Sequence, residues 1–112
     1  MNTPKIHSLL LGVLVALALV GCSKPEMPVS VSYRTALLDS SLVAQFHNNS
    51  DRHLTVVVKF ENRTLNQQKD GYIGLAPRET KEIGWVEGWK FMSGEYITMS
   101  HEDYATRTVR MP

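Results

Sequence analysis

From residue 29 onward, apolar and polar positions alternate with a period of two, and no stripe at helical spacing interrupts them. Val29, Val31, Tyr33, Thr35 and Leu37 alternate with Ser30, Ser32, Arg34 and Ala36. Leu42, Ala44 and Phe46 alternate with Val43, Gln45 and His47. Leu54, Val56, Val58 and Phe60 share one parity, and Thr55, Val57, Lys59 and Glu61 the other. Successive side chains of a strand point to opposite faces, so each run predicts a half-buried strand. The third run is the strongest signal, because β-branched residues occupy much of both parities. Between the second and third runs stand Asn48, Asn49, Ser50, Asp51 and Arg52. Asn, Ser and Asp bond to their own backbone, and the segment is expected to be a hairpin turn.

The second half carries shorter runs. Residues 71–75, 80–86, 95–100 and 104–111 read as strands. Turn signals separate them at 76–79, where Pro77 fixes φ, at Ser93-Gly94 and at 101–103. About seven short strands joined by short connections predict an all-β fold, a small antiparallel two-sheet sandwich. The sandwich is expected to span residues 29–112.

The stretch from Asn48 to Val58, followed by Leu75-Ala76-Pro77-Arg78-Glu79-Thr80, resembles small immunoglobulin-like or fibronectin type III-like domains of bacterial envelope proteins. Gly94-Glu95-Tyr96-Ile97 is similar to the Gly-x-Tyr start of a late strand in such sandwiches. The inter-sheet cysteine pair and the core tryptophan placement of true immunoglobulin domains are missing. By fold analogy, the resemblance implies a domain that binds or spaces rather than one that catalyses.

Ahead of the sandwich, residues 9–20 form an unbroken apolar run of 12 residues preceded by Lys5. A membrane-spanning helix needs about 20 apolar residues. Length and flanks together predict a signal-peptide helix over residues 1–21. The run ends in Leu19-Val20-Gly21-Cys22, which resembles the lipobox of bacterial lipoproteins. Val20 is bulkier than the usual small residue of that motif. The resemblance implies cleavage between Gly21 and Cys22, a diacylglyceryl group on the Cys22 thiol, and acylation of the new amine. At about 0.8 kcal/mol per buried methylene, three acyl chains contribute on the order of 30 kcal/mol of membrane affinity. In a host with an outer membrane, Ser23 at the sorting position implies an outer-membrane lipoprotein facing the periplasm. Residues 22–28, with Pro25 and Pro28, are expected to form the lipidated cysteine and a short tether.

Composition narrows the chemistry. A formal net charge of +1 leaves no basic excess for nucleic acid. Cys22 is the only cysteine, so lipid on it removes thiol chemistry and disulfide formation. His47 and His53 flank the expected hairpin with Asp51 between them, but a metal needs a further ligand. His101-Glu102-Asp103 has no nucleophile beside it, and Ser40-Ser41 lies in no Gly-x-Ser-x-Gly elbow. Neither a catalytic residue nor a metal site is assigned, and the covalent lipid is the only non-protein group expected.

The segment Ile83-Gly84-Trp85-Val86-Glu87-Gly88-Trp89-Lys90-Phe91 holds both tryptophans. Trp85 shares the parity of Ile83 and is expected in the core. Trp89 falls where the alternation has broken, and is a candidate binding residue with Phe91 and Tyr72. The expectation is a lipid-anchored module with no catalytic activity, holding an envelope protein partner near the membrane. The alternatives are carbohydrate or peptidoglycan-fragment binding through Trp89 and Phe91, and inhibition of a hydrolase.

Overall fold

The computed structural model of the chain describes residues 23–38 and 41–112. The expected signal-peptide helix and Cys22 lie outside the described residues. Seven strands follow one another: β1 (Val29–Thr35), β2 (Leu42–Asn48), β3 (Leu54–Asn62), β4 (Gln67–Leu75), β5 (Thr80–Ile83), β6 (Tyr96–His101) and β7 (Tyr104–Arg110). They form a three-stranded sheet, β1-β2-β5, and a four-stranded sheet, β4-β3-β6-β7. Every pairing is antiparallel. The fold is therefore an all-β sandwich, consistent with an immunoglobulin-like domain.

The period-two pattern decides what fills the space between the sheets. Leu54, Val56, Val58 and Phe60 of β3 face inward with Ala44 and Phe46 of β2, Ile73 and Leu75 of β4, and Ile97 and Met99 of β6. Phe60 is the hub of the aromatic part of this core. Its ring lies 5.0 Å from Phe91, 6.0 Å from Trp89 and 6.4 Å from Phe46. Edge-to-face and tilted ring pairs at such distances add to simple burial.

The expected hairpin at Asn48–Arg52 is instead a crossing from one sheet to the other, since β2 and β3 belong to different sheets. Asn48 makes the crossing rigid. It is fully buried, and its Nδ2 donates to the carbonyls of Arg52 at 2.7 Å, Ala76 at 3.1 Å and Leu75 at 3.3 Å. Its Oδ1 accepts from the Ser50 N–H at 2.9 Å and the Ser50 hydroxyl at 2.7 Å. One amide thus ties the β2–β3 crossing to the β4–β5 connection, with all its bonding capacity used away from water.

Three strands differ in length by two or more residues from the sequence expectation; β1 stops at Thr35, so Leu37 falls in the connection and is exposed. β5 stops at Ile83 rather than Val86. Gly84 packs so tightly that a Cβ there would sit 3.1 Å from Val43 Cγ2. The chain then turns through a 3-10 segment, Trp85–Glu87. β4 begins at Gln67, four residues before the expected start at Gly71. Its added residues, Gln67, Gln68, Lys69 and Asp70, are exposed and carry no apolar side chain to face a core.

Residues 25–28, expected as tether, are sewn onto the sandwich. Met27 is 3% exposed and joins the core. The Pro25 carbonyl accepts from the Ala105 N–H at 2.9 Å, and the Pro28 carbonyl from the Asn49 N–H at 2.8 Å. The chain enters beside the β2–β3 crossing and the β6–β7 turn, which defines a basal pole. The β1–β2 and β3–β4 connections and residues 84–95 lie at the opposite, distal pole.

Candidate functional site

Exposed apolar side chains are unevenly distributed over this shape. Among the described residues, six of the eight exposed large hydrophobics occupy distal-pole connections: Leu37, Leu38, Leu65, Trp85, Val86 and Met92. Val57 and Tyr72, on the outer face of the four-stranded sheet, are the other two. Scattered exposed apolar residues are ordinary, but a concentration at one end marks a contact surface.

One concave part of this pole is an apolar groove of about 340 Å³ on the outer face of the three-stranded sheet. Its floor is Val43, which points away from the core yet is only 7% exposed because Gly84 lies against it. Leu37 and Leu38 form one wall, and Trp85 and Val86 another. Leu37, Leu38 and Val86 are each at least 95% exposed, so nothing described covers them.

A polar pair borders the groove. Arg34 bonds to Glu82 through both Nε and Nη2, and Gln45 Nε2 donates to Glu82 Oε2 at 3.2 Å. The hydrogen bond from Arg34 is the main reason the Glu82 carboxyl sits below its ordinary range, and the same bond raises the Arg34 guanidinium. The pair is largely solvated, so it orients the rim more than it stabilises the fold.

The sequence-predicted candidates fall in different places. Phe91 is 2% exposed, its backbone bridged to Leu42, so its ring closes the core and offers no surface to a ligand. Trp89 is part-buried, stacked beside Phe60 and Phe91, with its indole N–H bonded to Glu95. Tyr72 is 76% exposed on the outer face of β4, opposite Val57. The structure therefore does not gather these three into one open aromatic platform. Trp85, expected in the core, is 64% exposed, because the strand ended before its parity could take effect.

Among the described residues, Glu95 is the one buried acidic side chain. It is 3% exposed, and burial raises its carboxyl above the usual range, against the opposing effect of the Met92 N–H and Trp89 N–H bonds. These bonds shape residues 89–95; no nucleophile is joined to them. His47 Nδ1 pairs with the Thr80 hydroxyl at 2.7 Å on the outer sheet face, while His53 lies exposed beyond the crossing. They are not brought together as a hairpin would have brought them. Among the described residues, no three His, Cys, Asp or Glu side chains gather as a metal site requires. No helix among them is long and apolar enough to cross a membrane.

The groove residues went unrecognised in the alternation, though a signal was present. Leu37-Leu38 and Trp85-Val86 are adjacent apolar pairs, and a period of two must turn one member of such a pair outward. Comparison with protein-family models, with curated proteins and with solved structures returned no match.

Proposed function

We propose that the protein is a lipid-anchored envelope module, without catalytic activity, that holds a partner protein near the membrane. The observation that carries this reading is the opposition of its two poles. The chain enters at the basal pole, and the exposed apolar side chains gather at the distal one. Lipid on Cys22, implied by the lipobox resemblance, would leave Ser23 and Lys24 between the lipid and Pro25, whose carbonyl is bonded to Ala105 at the basal pole. Two or three extended residues reach about 10 Å at most, so the basal pole would rest close to the lipid surface. A seven-residue strand such as β1 then carries the distal pole roughly 23 Å further out. Leu37, Leu38, Trp85 and Val86 would be out of reach of the acyl chains and open to a protein surface. Tryptophan in a concave apolar site is a frequent anchor of such contacts. In a host with an outer membrane, Ser23 favours that membrane, with the domain in the periplasm.

The test is photo-crosslinking in intact cells, with the reactive residue at Leu38 or Val86 in one set and at Glu102, in the basal turn, in another. The reading expects one reproducible protein adduct from the distal positions, absent from Glu102 and reduced by Trp85→Ala. Lipid adducts from Leu38, or the same adducts from both poles, count against it.

A further inference from the structure

A second feature of the distal pole lies outside the apolar groove. Glu61, Tyr96 and Arg110 stand side by side across β3, β6 and β7 on the outer face of the four-stranded sheet. The Arg110 guanidinium lies 5.5 Å from the Tyr96 ring centroid, and that of Arg63, just beyond β3, lies 3.9 Å from it. The negative face of an aromatic ring attracts each guanidinium and limits the positions it samples. Glu61 is 3.8 Å from Arg63 and 3.9 Å from Lys59, so one carboxylate serves two cations. The Arg110 guanidinium forms no ion pair and no hydrogen bond among the described residues. Its planar fork of donors is held beside Tyr96 with no acceptor.

The turn beneath fits this arrangement. Glu95 N–H bonds to the Met92 carbonyl at 3.2 Å, and Gly94 takes φ +84°, the left-handed value a side chain disfavours. A Cβ on Gly94 would stand 3.4 Å from Arg110 Nη2, so the missing side chain lets the guanidinium lie on the turn. Beside it opens a cleft of about 400 Å³, with Thr64 and Ser93 in its wall and the half-exposed Leu65 and Met92 at its sides.

We infer that Arg63 and Arg110, both held on Tyr96, receive a carboxylate of a peptide segment whose neighbouring apolar side chain rests on Leu65 and Met92. Guanidinium matches carboxylate geometry with two parallel bonds, and holding the side chains beforehand lowers the entropy lost on binding. The apolar neighbours favour a peptide over a bare anion. The site stands whether or not a lipid anchors the chain.

The test uses the full chain and fluorescence anisotropy. The probes are a short dye-labelled peptide carrying Leu-Glu pairs and its Leu-Gln counterpart, with inorganic phosphate and acetate as competitors. The acidic peptide is expected to bind roughly tenfold tighter than its amide counterpart, the difference a charge-assisted bond commonly makes. Arg110→Gln and Arg63→Gln should each remove most of that difference with an unchanged thermal midpoint, since both side chains are exposed. Glu61→Gln should tighten binding, and Arg78→Gln, at the basal pole, should leave it unaltered. Equal affinity for the two peptides, no binding of the acidic one, or equal weakening by Arg78→Gln and Arg110→Gln overturns the inference. Displacement by phosphate at concentrations where acetate has no effect overturns it too, by showing a phosphate site.

Discussion

Trp89 donates its indole N–H to Glu95 Oε2 at 3.2 Å, while Glu95 Oε1 takes the Met92 N–H at 2.7 Å. A buried carboxylate thus holds the distal loop from within, and its burial raises its pKa. The unfolded chain releases this proton at lower pH than the folded one does. The contribution of Glu95 is therefore fullest in acid, below the ordinary glutamate range. It declines as pH rises through the raised folded titration. Urea unfolding followed by tryptophan emission should show that decline, and Glu95→Gln should flatten it. A wild-type contribution that grows over the same interval contradicts the assignment.

Glu82 has the opposite sign. Its bond from Arg34 lowers its carboxyl, so what the pair contributes is present at neutral pH and lost as pH falls through the lowered titration. Because the pair is solvated, added salt should shrink the difference between wild type and Glu82→Gln. A salt-independent difference contradicts this.

Asn48 concentrates more bonding in one side chain than any turn role requires. Asn48→Ala removes the acceptor of the Ser50 N–H and the amide donor that joins the carbonyls of Arg52, Leu75 and Ala76, leaving Ala76 its bond from the Glu79 N–H and Arg52 a long one from the Ser50 hydroxyl. It is expected to cost about 3 kcal/mol in equilibrium unfolding, the scale of leaving buried polar groups unmet. A loss below about 1 kcal/mol would mean that water replaces the amide.

The groove should separate stability from binding. Leu37→Ser together with Leu38→Ser removes two fully exposed side chains, so stability should change by no more than about 0.5 kcal/mol per site. The distal crosslink in cells should vanish. Retention of the crosslink would place the partner elsewhere.

Both tryptophans lie at the distal pole, which allows an orientation test. In vesicles bearing spin-labelled acyl chains, emission from the membrane-bound protein should remain close to that in unlabelled vesicles. Strong quenching would mean that the apolar pole faces the lipid.

Much of the sandwich was legible because alternation is a direct record of which face of a strand meets the core. The parity of Leu54, Val56, Val58 and Phe60 carried through unchanged. The Ser93-Gly94 turn was legible for a local reason, the positive φ that only glycine takes easily. The sheet crossing at residues 49–53 was not, since Asn, Ser and Asp serve a hairpin and a crossing equally well. The start of β4 carries no apolar face to read, because Gln67, Gln68, Lys69 and Asp70 are all polar and exposed. Trp85 and Trp89 exchanged their expected surroundings for one reason. Parity counts only while a strand continues, and β5 ended at Ile83. The Arg63–Tyr96–Arg110 cluster depends on register across three strands, which no single run contains.

The proposed lipid anchor would set the compartment, the orientation and the role of the distal pole, and intact-mass spectrometry of the chain recovered from cell membranes tests it most directly. The account expects a chain beginning at Cys22 and heavier than its residues by a glycerol group and three acyl chains. A bare Cys22, or a chain that retains residues 1–21, contradicts it.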